Sequence, residues 1–293
     1  MPTKRERFAQ TIRAQYLGQR MRELRDERGL TLKYVAGYLG VEFSTLARYE
    51  RAEWPFRKDH VVALLDVYGV HDDGDRNELA ALAVNAWRAD HWYRDGVKPD
   101  PNLGPMPDRW WVQRRAQQIC IYSPNMIPDL LRTEAYADEV LARTQTGTIS
   151  KEERAKHLHD TAARAKALTR RPDPVQLHVV MDERVLHRTV GGGTAFKAQL
   201  EHIVQLARFQ ANVDIQIVRD TALMHPGVFG GFTVYRMPQP YPDVACVDHA
   251  SGTLLLEGSA AEQFSTKFTE LAKEYAEPTN DSIALINVLK EEL

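Results

Sequence analysis

Residues 29–50, GLTLKYVAGYLGVEFSTLARYE, leave a chain little freedom in how it folds. Gly29 takes positive φ at little cost, so it suits the end of a preceding helix. Thr31 follows as a hydroxyl cap for a new helix. Val35, Ala36 and Leu39 then recur on one face at helical spacing. Gly40 ends that short helix and Val41 plugs the turn. A second helix is expected from about Phe43 to Arg51. It buries Leu46 and Tyr49 and turns Phe43, Ser44, Thr45, Ala47 and Arg48 outward. Ala36 is small where the two helices approach each other.

This layout resembles the helix-turn-helix of the lambda-repressor-like family, Cro/XRE type. The resemblance rests on Gly29 to Thr31, Val35-Ala36, Leu39 to Val41, Ser44 to Leu46 and Arg48 to Glu50. Two positions depart from the family pattern. Leu32 stands where a Gln is usual, which removes one expected contact to the DNA backbone. Ala52 stands where a Gly is usual, so the turn after the second helix is expected to differ.

The flanking sequence supplies the rest of a small helical domain. A first helix is expected from about Arg13 to Arg28, with Leu17, Met21 and Leu24 on one side and Arg20, Arg22, Arg25 and Arg28 elsewhere. After the loop RAEWPFRKD, in which Pro55 opposes helix continuation, a fourth helix spans 60–68. Asp75 is read as the cap of a fifth, carrying Leu79, Leu82, Ala83 and Ala86. The start of the chain is polar and basic, with Lys4, Arg5, Arg7 and Arg13, and reads either as an arm that touches DNA or as a frayed end.

A net charge of −2 does not announce a nucleic-acid binder, but its distribution does more. Through residue 58 there are thirteen Lys or Arg against seven Asp or Glu. Residues 59–90 reverse the balance, two against seven. A local basic patch is enough for phosphate contact, because salt screens the distant charges.

At 293 residues the chain is long enough for two domains. DGVKPDPNLGPMPD, 95–108, holds four prolines and two glycines and reads as a semi-extended connector. Trp87, Trp92, Trp110 and Trp111 bracket it and are expected to pack it down. Beyond it, helices are expected at about 110–120, 128–143, 151–169, 195–208, 260–275 and 281–291. Strands are expected at 175–181 and 213–218, with three more in GGFTVYRM, DVACVD and GTLLLEG. DERVLHRTV reads as a short helix and Gly191 to Gly193 as a turn. The class is therefore α+β: a five-helix domain over 1–94, a connector over 95–108, and a mixed α/β domain over 109–293 with four or five strands.

Residues 109–289 resemble the C-terminal domain behind the helix-turn-helix of many actinobacterial regulators, called antitoxin-like and including WhiJ-type developmental regulators. The matching pieces are Ile127 to Thr133 with Tyr136-Ala137, Met181 to Leu186, Val190 to Gly192, Gln199-Leu200 and Val213 to Val218. Asp129 and Arg132 depart from the usual Gly and Gln, and Ala165-Lys166 stand near where an Arg-Gln pair is usual. The resemblance implies a small partner protein encoded nearby.

No catalytic constellation emerges. Gly191 to Lys197 lacks the spacing of a phosphate-binding loop. His157 and His159 point to different faces of a helix. Asp182 and Glu183 are adjacent rather than opposed, and His225-Pro226-Gly227 is a loop. These residues leave a small-molecule effector site open without naming one. Cys120 and Cys246 lack metal spacing and fit a reduced, intracellular protein. No apolar run reaches membrane-spanning length, and MPTKRERFAQ is not a secretory signal.

The expectation is a homodimeric, sequence-specific DNA-binding repressor of the cytoplasm and its nucleoid, without cofactor, metal or enzymatic activity. Phe43, Ser44, Thr45, Ala47 and Arg48 are expected to read base edges. Lys33, Arg51, Arg57 and Lys58 are expected to hold the phosphate backbone. Residues 109–293 dimerise, receive the signal, or both. The rivals are an antitoxin-like module that binds its partner protein, a ligand-controlled repressor, and an enzyme with a DNA-binding domain.

Overall fold

The computed structural model describes residues 10–86, 109–144, 149–169, 172–222, 224–249 and 252–293. The basic start of the chain, Trp87, Trp92 and the connector lie outside them. The chain divides into two compact units, one of Met1–Val112 with Gln239–Pro242, the other of Gln113–Pro238 with Asp243–Leu293. The architecture is α+β.

The first unit is helical among the described residues: α1 (Ile12–Glu27), α2 (Leu32–Leu39), α3 (Phe43–Glu50), α4 (Lys58–Val67) and α5 (Asp73–Asn85). Leu17, Met21 and Leu24 of α1 meet Val35, Ala36, Leu46, Tyr49, Val61, Leu64, Leu65 and Leu82 in one core. These apolar positions recur every three or four residues on each helix, which is how five short amphipathic helices enclose one interior. Burial of each Leu, Val or Met among them contributes about 1.5–3 kcal/mol.

Local side chains set the helix starts. Thr11 caps α1 by accepting from Ala14 N at 3.1 Å, and Thr31 caps α2 by accepting from Tyr34 N at 3.2 Å. For α5 the cap is Asp72, which accepts from Asp75 N at 2.8 Å. Asp75 is thus the donor in the first turn and not the cap, a correction to the sequence reading. HDDGD offers several carboxylates, and only the backbone path selects among them.

The second unit is built on a six-stranded sheet of order β3-β2-β1-β4-β5-β6. Its strands are β1 (Gln118–Ser123), β2 (Gln176–Asp182), β3 (Val213–Val218), β4 (Phe232–Arg236), β5 (Val244–His249) and β6 (Gly252–Leu256). The first three run parallel, with Tyr122 opposite Val180 and Met181 opposite Ile217. The last three are added antiparallel, starting with Tyr122 opposite Phe232. Helices α6 (Arg109–Arg115), α7 (Glu134–Thr144), α8 (Lys151–Ala165), α9 (Gly193–Phe209), α10 (Ser259–Glu270) and α11 (Thr279–Glu291) complete the described elements, with short 3-10 turns and a π turn at 271–275.

Cys120, Val180, Phe232 and Val234 pack with Ala260, Ala261 and Phe268 of α10. Helices α9 and α11 pack on each other and on β3. Gln199 of α9, fully buried, accepts from Thr133 N at 2.7 Å and donates to Leu131 O at 2.7 Å. That one amide ties the Ile127–Thr133 turn to the helix. Asp129 lies 3.3 Å from Arg164, and Arg132 donates to Ile127 O at 2.8 Å, so both unusual residues take part in local contacts.

Two expectations need correction. The helix expected over 110–120 stops at Arg115, and the chain becomes β1, so the sheet has six strands rather than four or five. QICIYS is buried through its middle four residues, and a strand covered on both faces carries no alternation to betray it. The helix expected over 128–143 starts at Glu134, because the 3-10 turn Asp129–Leu131 is followed by Arg132 in an extended conformation.

Candidate nucleic-acid interface

The two helices of residues 29–50 are joined by a tight link. Gly40 sits in the left-handed region, φ 66°, and its N–H reaches Gly37 O at 3.2 Å while Val41 N reaches Ala36 O at 3.0 Å. This double hydrogen bond closes α2 and swings the chain into α3. The same closure ends α3: Ala52 N bonds Tyr49 O at 3.0 Å and Glu53 N bonds Arg48 O at 2.8 Å. Here the left-handed residue is Ala52, φ 52°, buried beside the core. The turn is therefore the glycine-type turn after all, and the expectation of a different one is corrected. An alanine in this region costs on the order of 1 kcal/mol or more, held here by the packing around its methyl.

Helix α1 clamps α3 from behind. A Cβ on Gly18 would meet Glu50 O at 2.6 Å and Tyr49 O at 2.9 Å, so α1 approaches the α3 backbone as only glycine allows. One turn pair further along, Arg25 forks onto Glu50, Nε to Oε1 at 2.7 Å and Nη2 to Oε2 at 2.9 Å. Both side chains are buried, 8% and 4% exposed. Arg25 also donates to Leu30 O at 2.8 Å, which ties the start of the α1–α2 turn into the clamp. The hydrogen bonds to Glu50 outweigh burial and hold the guanidinium above its usual range. Neither Gly18 nor this pair stood out in the sequence: Arg25 read as one of four arginines off the apolar face.

What α1 holds in place is an outward face of α3. Phe43 is 60% exposed, and Ser44 and Arg48 are exposed beside it. At about 100° per residue, Phe43, Ala47, Arg51, Ser44 and Arg48 fall on one stripe. Ala47 is half-buried on it. Thr45 is also half-buried and lies off the stripe, on the side of buried Tyr49, a correction to its placement with the outward group. Arg48 is held from two sides, its guanidinium 5.4 Å from the Trp54 ring and 4.0 Å from Glu53.

The residues expected on the phosphates are exposed as well. Lys33 stands on the solvent side of α2 with Tyr34 and Tyr38, which are 61% and 55% exposed. Their hydroxyls are the kind of neutral donor that phosphate oxygens accept, and sequence reading passed over them. Arg51 pairs with Glu53 at 2.7 Å and Arg57 with Asp59 at 2.6 Å. Such exposed ion pairs are screened by solvent and yield to a stronger anion. Arg57 is also the N-terminal flank of α4 without capping it through its side chain, and Lys58 opens that helix.

The glycine turn, the paired histidines and the cysteines lie in the second unit and are no part of this face. Gly191 and Gly192 form a turn that leads into α9 after a 3-10 turn, not after a strand. His157 and His159 are exposed on α8. Among the described residues no group of three or more metal-ligating side chains gathers. Cys120 and Cys246 are buried thiols, and burial pushes Cys120 up to about 11. No helix among the described residues is long and apolar enough to cross a membrane.

A helix-turn-helix domain model matches residues 16–79. A second model, a domain of unknown function (DUF5753), matches residues 107–288. Neither a curated protein nor a solved structure matches the chain.

Proposed function

The chain belongs to the DUF5753 family, here behind a helix-turn-helix domain, and on that premise we propose that it is a homodimeric transcriptional repressor reading a specific operator. DNA binding follows from the helix-turn-helix itself. The observation that carries the finer reading is the α3 stripe: Phe43, Ser44 and Arg48 are exposed while Leu46, Tyr49 and Glu50 are buried beneath them. In the proposed complex α3 enters the major groove, where Arg48 pairs with guanine O6 and N7 and Phe43 or Ala47 touches a thymine methyl. Ser44 completes the base contacts from the stripe, and Thr45 reaches the groove only from the flank outside it. Lys33, Arg51, Arg57 and Lys58 meet phosphates, joined by Tyr34 and Tyr38. The protein acts by binding, without catalysis or cofactor, in the cytoplasm.

Arg48→Ala tests the assignment. It is expected to cost about 1–3 kcal/mol on the selected operator and to relax base choice at one position per half-site. Selection from random duplexes followed by titration measures both. An equal loss on operator and random DNA would remove Arg48 from base reading.

The phosphate contacts are tested by salt. Changing Arg57 and Lys58 together to Ala is expected to weaken all duplexes alike and to lower the log–log salt slope by about 1.8. An unchanged slope excludes both residues from the backbone.

A second reading follows the antitoxin-like and WhiJ-type resemblance: residues 109–293 bind a small protein encoded nearby. Phe209 at the end of α9 and Phe229, 79% and 95% exposed, favour it. Co-purification of the neighbouring gene product, lost on Phe229→Ser, is the measurement.

A further inference from the structure

Because β1, β2 and β3 are parallel, their carboxyl ends share one edge of the sheet. The chain moves outward from β1 to β3 and then returns to the other side of β1 as β4. Open sheets bind ligands at such a carboxyl edge, beside the strand where the order turns. A cavity of ≈ 240 Å³ opens on this edge, at the carboxyl ends of β2 and β3.

Its floor is Asp182, the last residue of β2, 5% exposed. The Tyr122 hydroxyl donates to Asp182 Oδ1 at 2.9 Å. On the other oxygen, Oδ2, Arg184 Nε stands 3.5 Å away, too far for a good hydrogen bond. The same Nε is 3.7 Å from Asp220 Oδ1, and the Arg184 side chain is 59% exposed. A buried carboxylate thus has one neutral hydrogen-bond donor and a loosely shared, mostly solvated guanidinium, with the His225 ring near enough to act on it without a hydrogen bond. Burial accordingly raises the Asp182 pKa. Buried carboxylates normally have closer partners than this.

Val218, Ala222, Met224 and Val228 supply the apolar part of the walls, and Arg184, Arg219, Asp220 and His225 the polar part. The loop that brings Met224 and Val228 is seated firmly. A Cβ on Gly227 would stand 2.3 Å from the Tyr122 ring, so the loop lies flush on that tyrosine. His225 accepts from Gly227 N at 3.2 Å through Nδ1, and its ring lies 5.9 Å from both Tyr122 and Tyr275. Met224 and Val228 are nevertheless 83% and 49% exposed, as side chains at the rim of an open site are.

We propose that this cavity binds a small organic cation, a primary amine with a short apolar body, whose ammonium sits on Asp182. The ammonium supplies the close donor that Oδ2 lacks and reaches Asp220 with another N–H. Arg184, already mostly in solvent, swings out. The apolar body lies against Val218, Ala222 and Val228. An anion fits less well: it would face a buried carboxylate, and the arginines lining the cavity already face carboxylates, Arg184 as above and Arg219 at 3.3 Å from Glu183. At about 30 Å³ per water, the space equals roughly eight waters, the size of a phenyl or hexyl amine.

Calorimetric titration of the full chain with 2-phenylethylamine and n-hexylamine tests the site, with phenylacetate as the shape-matched anion. DNA is absent, so the outcome is independent of the DNA-binding reading. Saturable one-to-one binding of an amine is expected, with no phenylacetate binding over the same range. Asp182→Asn keeps an acceptor for Tyr122 and is expected to weaken the amine about tenfold or more, the loss of one charge-assisted hydrogen bond. Val228→Trp, at the exposed rim, is expected to block binding without disturbing the fold. Failure of both amines to bind, preference for phenylacetate, or binding unchanged in both variants overturns the proposal.

Discussion

Arg25→Met is expected to cost the helix-turn-helix unit about 3–5 kcal/mol, because it leaves Glu50 buried without its cation. Glu50 is 4% exposed in its side chain, and Arg25 supplies both of its close donors, at 2.7 and 2.9 Å. A domain of this size has only about 5–15 kcal/mol in hand. For the fragment 1–94 the melting temperature is expected to fall by more than about 10 °C. The double change Arg25→Met, Glu50→Leu is expected to recover most of the loss, since an apolar pair of similar volume removes the stranded charge. Operator binding by the single variant falls with stability, because the pair fixes α3 against α1. A single variant that melts within a degree or two of the parent would show the pair to be dispensable.

Separating the halves of the chain is expected to lower operator affinity by about 10²–10⁴-fold without removing any DNA contact. The fragment 1–94 contains the whole first core, whose buried members run from Ala14 to Ala86, so it is expected to fold and bind. One helix-turn-helix reaches one half-site, and half-sites lie about 34–36 Å apart, so a monomer forfeits the gain from holding both. The proposal places dimerisation and control in residues 109–293. Ultracentrifugation of both fragments, with DNA titration of the first, decides it. A dimeric 1–94 fragment with full operator affinity beside a monomeric C-terminal fragment would sink this division of labour.

The turn after α3 shows where sequence patterns mislead. Ala52 in place of the usual glycine suggested a new geometry, yet the residue adopts φ 52° and preserves the old one. A pattern reports local preference, and the packing of Ala52 against the core overrides it. Strand β1 was lost for a related reason. Its six residues follow a helical stretch rich in Trp and Arg, and full burial erases the alternation that exposed VDIQIV as a strand.

The sequence by itself determined the elements whose information is short-range. The caps at Thr31, the apolar spacing of Val35, Ala36 and Leu39, and the stop at Gly40 all act within a few residues, so α2, α3 and their turn were legible in 22 letters. The exposed stripe of Phe43, Ser44 and Arg48 followed from the same periodicity. Tertiary structure decided what depends on distant residues meeting. Arg25 finds Glu50 across 25 positions, and Tyr122 finds Asp182 across 60. No local propensity encodes such pairs. They arise because helix packing and sheet order bring those backbones together, and a buried charge or hydroxyl must then find its partner there.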